Sequence, residues 1–214
     1  MNLLPIEINQ HEFQLHPLKA IYWPAKKTLI CSDVHIGKAE HFRKNGIALP
    51  RLVNTNNFWN LSILFDQLKP ERWLVLGDLM HSTLNKEWDD LSDFLANYPN
   101  ISSHLVRGNH ELYRDSVYKD LNFQVSDVLN ENSFCFSHES IENLEDGIFN
   151  FHGHIHPAVR LRGTAGQSLK LPCFYKTSNK LILPSFGSFT GSHTIKPKKD
   201  DRIYVIAGNE VKQI

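Results

Sequence analysis

Cysteine is scarce in this chain: three residues in 214, an odd number, with no Cys-x-x-Cys pair. That argues against a disulfide framework and against a zinc ribbon, and leaves Cys31, Cys135 and Cys173 as small core residues. No run approaches the ~20 apolar residues that span a bilayer. Residues 1–5 lack the basic, apolar and small-residue order of a signal peptide, so the expectation is a cytoplasmic chain with no membrane contact. Net charge is also missing, 23 basic residues facing 23 acidic ones, which on its own speaks against a general polyanion binder. Repeats, low-complexity tracts and linkers are absent. A length of 214 residues at 41% hydrophobic content suits a single domain, 1–214.

What the chain does have is Asp, His and Asn placed after apolar, strand-like runs. Leu29-Ile30-Cys31 leads into Asp33-Val34-His35, and Trp73-Leu74-Val75-Leu76 into Gly77-Asp78. Leu105-Val106 leads into Gly108-Asn109-His110-Glu111, Phe134-Cys135-Phe136 into Ser137-His138, and Ile148-Phe149-Asn150-Phe151 into Gly153-His154-Ile155-His156. Buried strands supply rigidity and the loops at their ends supply chemistry, so this repetition predicts one converging site at strand C-terminal ends. His154 and His156, at i and i+2 of a segment read as extended, are expected to face the same side.

Seven candidate donors result: Asp33, His35, Asp78, Asn109, His138, His154 and His156. They are too many for one tetrahedral ion and suit two ions that share a bridging carboxylate and keep open positions for water. Imidazole and carboxylate donors without thiolate favour Mn, Fe, Zn or Co over Ca, with Mn²⁺ the leading candidate. Two divalent ions outweigh the charges of Asp33 and Asp78, so the site stays positive and favours an anion that gains charge in its transition state. Phosphate esters fit.

The set Asp33-x-His35, Gly77-Asp78, Gly108-Asn109-His110-Glu111, His138 and Gly153-His154-x-His156 resembles the signature of the calcineurin-like metallophosphoesterases. Longer words narrow the likeness: residues 33–38, 77–81, 153–157, 171–174 and 183–191 resemble the ligase-associated DNA damage response metallophosphoesterases, a bacterial group of nucleases. The likeness runs over about 15–206; Glu111 stands where many relatives have Asp, and Ser140 where Pro is expected. It implies an α/β fold, a sandwich of two mixed β-sheets flanked by helices. It also implies one ion on Asp33, His35, Asp78 and His156 and another on Asp78, Asn109, His138 and His154, Asp78 bridging. His110 would protonate the leaving oxygen and Glu111 would orient His110. The implied activity is metal-dependent cleavage of phosphodiester bonds in DNA, single-stranded in particular, in repair, with a DNA ligase, helicase or exonuclease as partners. A small-molecule phosphodiesterase or a phosphomonoesterase would use the same site. A non-catalytic scaffold on this fold should lack ligands or His110, and all are present.

Other features carry less. Phe58, Leu61, Phe65 and Leu68, and then Trp88, Leu91 and Leu95, recur at helical spacing before strands expected at 72–76 and 103–106. Shorter strands are expected at 134–137, 148–151, 159–161, 169–171, 181–183 and 203–206. His11, His16, His41, His104 and His193 read as structural or surface residues, and His152 as facing away from the metals. His81 could orient a ligand or touch substrate, and Lys38, with Arg43 and Lys44 beyond it, could meet a phosphate at a helix start. Cys173 and residues 183–191 suggest only a hairpin turn near the site mouth. From Arg160 to Arg202 nine basic residues face two acidic ones, an excess of seven that suits a phosphate-backbone track or an ordinary solvated surface.

Overall fold

The computed structural model describes residues 2–36, 52–80, 86–111, 113–163, 166–188 and 190–214, with side chains in the first two helices described from 56 and 88. Lys38, His41, Arg43, Lys44, His81 and Phe189 fall outside the described residues.

The chain opens with an antiparallel meander, β1 (Leu4–Ile8), β2 (His11–His16), β3 (Ala20–Trp23) and β4 (Thr28–Ser32). Parallel strands β5 (Arg72–Leu76), β6 (Ser102–Val106) and β7 (Phe123–Ser126) then join β4 to complete a seven-stranded sheet ordered β1 to β7. Helix α1 (Leu52–Leu68) precedes β5, α2 (Lys86–Ala96) precedes β6, and α3 (Asp115–Lys119) precedes β7. The second sheet follows the order β14-β11-β12-β13-β10-β9-β8, with β15 on β12 and β16 on β15. Its members are β8 (Leu129–Glu131), β9 (Phe134–Phe136), β10 (Phe149–His152), β11 (Pro157–Arg162), β12 (Ser168–Lys176), β13 (Lys180–Ile182), β14 (His193–Thr194), β15 (Arg202–Ala207) and β16 (Glu210–Gln213).

Strand β5 shows why the layers stack as they do. Leu74 and Leu76 enter the core between the sheets, with Phe13, Trp23, Phe134, Phe151 and Phe174. Trp73 and Val75 project the other way, onto Leu61, Leu64 and Phe65 of α1 and Leu91 of α2. A parallel strand buried on both faces must be apolar at every position, and this one is after Arg72. The described helices all cover that outer face of the first sheet, so the sandwich of mixed sheets is helix-flanked there, while the outer face of the second sheet keeps a small cluster of Val159, Cys173, Ile203 and Val205.

Parallel register brings the loops together. Ser32, Leu76 and Val106 are aligned as the last residues of β4, β5 and β6, and Phe136 of β9 is aligned with Phe151 of β10. Asp33, Gly77 and the loop after Val106 therefore leave one edge of the sandwich, facing the loops after β9 and β10. The three cysteines are free and buried, and burial pushes the thiols of Cys31 and Cys173 up to about 12. Cys173 lies in the middle of β12 opposite Val205, so the expected turn near the site mouth is not there. No helix among the described residues is long and apolar enough to cross a membrane.

Candidate metal centre

The loops at this edge are held in unusual backbone conformations. Asp33, His35, Asp78, His154 and His156, five of the seven candidate donors, have φ between +51° and +66°. Asp and His tolerate the left-handed region better than most residues, yet each such conformation costs on the order of 1 kcal/mol and persists only where the surroundings enforce it. Here the loops brace one another. Asp33 N–H donates to Gly77 O (3.1 Å), His35 N–H to Asp78 O (2.8 Å) and Ile36 N–H to Leu79 O (2.9 Å). Two glycines allow the close approach: a Cβ at Gly77 would overlap the His138 ring, and one at Gly153 would overlap Ser32 Oγ.

The 153–156 segment is a correction to the extended reading. Its backbone turns left-handed at both histidines, and Ile155 N–H closes a tight turn on Gly153 O at 2.8 Å. Both rings still reach the cluster. His156 Nε2 lies 3.1 Å from Asp33 Oδ1, and His154 Nδ1 lies 3.1 Å from His138 Nε2. Strand β11 begins at Pro157, so His156 stands at a strand start, unlike the donors that follow strand ends.

Two groups of donors come within reach of a shared ion: Asp33, His35 and His156, and Asp33, Asp78 and His138. Asp33 is common to both. Asp78 spans them through its two oxygens, Oδ2 at 3.9 Å from His35 Nε2 and Oδ1 at 3.6 Å from His138 Nε2. Asn109 Oδ1 approaches His138 Nε2 at 3.0 Å.

The protonation pattern tests whether these residues fit a metal. His138 Nδ1 lies 3.1 Å from Leu76 O and His156 Nδ1 2.9 Å from Gly191 O. A carbonyl can only accept, so in each neutral ring Nδ1 holds the proton and Nε2 turns its lone pair toward a carboxylate. Lone pairs facing carboxylate oxygens repel unless a cation lies between them. Asp33 Oδ1 is buried and accepts no hydrogen bond of sound geometry among the described residues, while Asp33 Oδ2 accepts from Ser32 Oγ and from His154 N–H (3.1 Å). The donor set fits divalent ions. With no cation present and these rings charged instead, burial works to raise the Asp33 carboxyl, but His156, His138 and the Ser32 hydroxyl outweigh it and hold it below the usual range. At Asp78 burial, reinforced by Asp33, wins against His138 and raises the carboxyl.

His110 sits at the rim, its side chain 44% exposed and Nε2 3.9 Å from Asp78 Oδ2. Its backbone N–H donates to Asp78 Oδ1 at 3.1 Å. Glu111 is not simply an orienting partner for the His110 ring. Its buried carboxylate accepts backbone N–H bonds from Asp78 (3.0 Å), Gly108 (2.6 Å) and Leu79 (2.6 Å), tying the Gly108–His110 backbone to the Asp78 loop. His152 is buried with Nδ1 on Gly153 O, and burial lowers its pKa to about 4, in keeping with a structural role.

Residues 183–188 have a role that sequence reading missed. They form no hairpin; they back the Asp33 loop. Phe186 N–H donates to Ser32 O (2.8 Å), Gly187 N–H and Ser185 Oγ donate to Asp33 O (3.0 and 2.9 Å), and Asn57 of α1 links Val34 O to Ser188. Only the Leu183-to-Gly191 word itself marked the segment.

The two-sheet sandwich and a donor cluster of this composition define a metal-dependent phosphoesterase. The sequence model of the calcineurin-like phosphoesterases matches residues 26–207, and the chain belongs to that family. A solved structure described as Pseudomonas putida nuclease MPE is similar over 100% of both chains, with a TM-score of 0.79 and 28% identity. No curated protein matches the chain.

Proposed function

We propose that this protein is a binuclear metal-dependent phosphodiesterase that cleaves DNA, single strands in particular, in a repair setting. The observation that carries the metal part is the pair of imidazoles, His138 and His156, whose Nδ1 atoms are tied to backbone carbonyls while Nε2 faces buried carboxylates. Asp33, His35, Asp78 and His156 would hold one ion, and Asp78, Asn109, His138 and His154 the other. Two divalent ions held there, Mn²⁺ first among them, would supply an activated water and charge neutralisation at the phosphoryl oxygens. Asp78 sets the spacing between the two donor groups through its separate oxygens. His110, half in solvent beside Asp78, delivers a proton to the departing oxygen, and Glu111 fixes the loop from which it does so.

The nuclease part is supported by full-length similarity to a protein described as a nuclease and by the likeness to the ligase-associated group, which also supports a ligase, helicase or exonuclease as partners. The test is a substrate panel with metal-stripped protein reloaded with Mn²⁺, comparing linear and circular single-stranded DNA, duplex DNA, cyclic nucleotides and simple phosphate esters. Cleavage of single-stranded DNA well above the small esters is the expected result; turnover confined to small esters would overturn it.

A further inference from the structure

A cavity of about 180 Å³ opens beside His156, between the β2–β3 turn and the β11–β12 hairpin, and its lining includes Lys19, Lys170, Thr190 and Ser192 and, among the described residues, no carboxylate. Lys19 is half-buried in the turn, at φ +63°, and its ammonium makes no ion pair or hydrogen bond among the described residues. Burial lowers its pKa, a cost that an anion in the cavity would relieve. Lys170 stands across from it on β12, donating to Ser192 O.

The hairpin register extends this feature outward. Ala158 pairs with Pro172, Arg160 with Lys170 and Arg162 with Ser168, so Pro172, Lys170, Arg160 and Arg162 project from one face. The other face carries Val159 and Cys173 into an apolar cluster. Lys26, Lys27, Arg72, Arg107, Lys180 and Lys212 are all paired with carboxylates, whereas Lys19, Arg160, Arg162 and Lys170 form no such pair among the described residues. Of the nine basic residues between 160 and 202, only Lys180 has a carboxylate partner among the described residues, and Lys170, Arg160 and Arg162 share the hairpin face that leads from the cavity beside His156.

We propose that the cavity binds the backbone phosphate adjoining the one cleaved, through Lys19 and Lys170, and that Arg160 and Arg162 carry the same strand along the hairpin. The proposal rests on the nuclease reading. A backbone phosphate fits better than an isolated anion because the cavity is open to the hairpin face, where Arg160 stands opposite Lys170 and Arg162 follows about 6.8 Å further along β11, two residues of strand rise.

The test uses single-stranded oligonucleotides with one neutral methylphosphonate linkage placed at each position in turn. With the Mn²⁺-loaded wild type, replacement at the linkage next to the cut should lower kcat/KM about tenfold or more, the scale of a charge-assisted hydrogen bond. In a Lys19→Met/Lys170→Met variant the same replacement should cost less than about twofold. Binding to the metal-free protein should show a slope of log affinity against log salt that is flatter by ~1.4, or ~0.7 for each lost single-strand phosphate contact. The exposed Lys170→Met change alone should give half of that flattening if the double variant does not fold. Equal methylphosphonate losses in wild type and variant, with an unchanged slope, would overturn the subsite while leaving the nuclease reading intact. A loss confined to substrates with a terminal phosphate would place an end group there and overturn the backbone assignment. Hydrolysis of a small aryl diester with no oligonucleotide cleavage would remove the nuclease reading and this inference together.

Discussion

Glu111 offers the sharpest test of how the centre is held. Its carboxylate is buried and receives three backbone N–H donors, from Asp78, Leu79 and Gly108. In Glu111→Gln one amide oxygen can keep two of these bonds, but as neutral ones, and the amide NH2 must face a third N–H, donor against donor. A charge-assisted bond contributes ~1.5–3 kcal/mol and a neutral one ~0.5–1.5, while an unsatisfied buried donor costs ~1–3. Relief of carboxylate burial, the main reason its pKa is raised, offsets part of that. The net expectation is a loss of about 2–3 kcal/mol for Gln and about 4 for Glu111→Ala, against a total stability on the order of 5–15 kcal/mol. Urea unfolding of the metal-free protein should therefore show the Gln midpoint lowered by about 1 M, using a slope of ~2–3 kcal/mol/M for a chain of this size. Metal affinity should fall as well, since Asp78 and Asn109 lie on the loops that Glu111 joins, although Glu111 is no ligand in the proposed set. A Gln variant within about 0.5 kcal/mol of wild type would show that the three-donor arrangement does not hold the loops.

Asp78→Asn should reduce the amount of metal retained after dialysis more than His154→Asn does, because Asp78 spans both donor groups; two ions per chain with normal turnover in Asp78→Asn would refute the binuclear assignment. His110→Asn should keep metal content while lowering turnover by roughly 10²–10⁴-fold on alkyl leaving groups and by less on activated aryl ones; equal losses on both would remove His110 as the proton donor. His16 gives a pH prediction away from the centre: its Nδ1 accepts Leu18 N–H (3.0 Å) and burial lowers its pKa from 6.5 to about 4, so above pH 6.5 it is neutral in both folded and unfolded chains. Between pH 6.5 and 4 only the unfolded chain takes the proton, so stability falls there by up to about 3 kcal/mol, and wild type should lose more than His16→Asn, whose amide oxygen can accept the same bond; identical pH slopes would refute this.

The donors were legible because chemistry restricts them. Only a few side chains bind divalent ions, and five of the candidates, Asp33, Asp78, Asn109, His138 and His154, came within a few residues of an apolar run, so they could be placed after strand ends without a structure. Helices α1 and α2 were legible from Phe58, Leu61 and Phe65 and from Trp88, Leu91 and Leu95, which do turn their apolar sides to the first sheet. The β1–β3 meander was not, because its edge strand alternates half-buried and exposed residues over only five positions. Support from residues 183–188 was invisible for a deeper reason. Its bonds from Phe186 and Gly187 run from backbone N–H to backbone C=O, which every residue type except proline can supply, and the others use Ser185 and Asn57, polar residues common in any loop or helix, so little side-chain trace is left. Lys19 was equally silent, since an isolated lysine in a turn looks the same whether solvated or enclosed.

The left-handed donors connect these threads. Glycine would adopt φ near +50° without strain but offers no ligand atom, so a centre that needs side chains at those backbone positions must hold Asp and His in conformations they disfavour. Five such residues, at about 1 kcal/mol each, would destabilise the loops by several kcal/mol were they not cross-braced. The bracing comes from the backbone and from residues outside the candidate donor set: Gly77 O and Asp78 O receive the N–H groups of Asp33 and His35, Ser185 and Gly187 bind Asp33 O, and Glu111 joins the Gly108 and Asp78 turns. Because the ligand geometry is enforced by the fold, little ordering is left for metal binding to accomplish, which favours affinity and a fixed spacing between the two donor groups. The centre is therefore a property of both sheets together, and weakening the segment behind Asp33 should affect it as surely as removing a ligand.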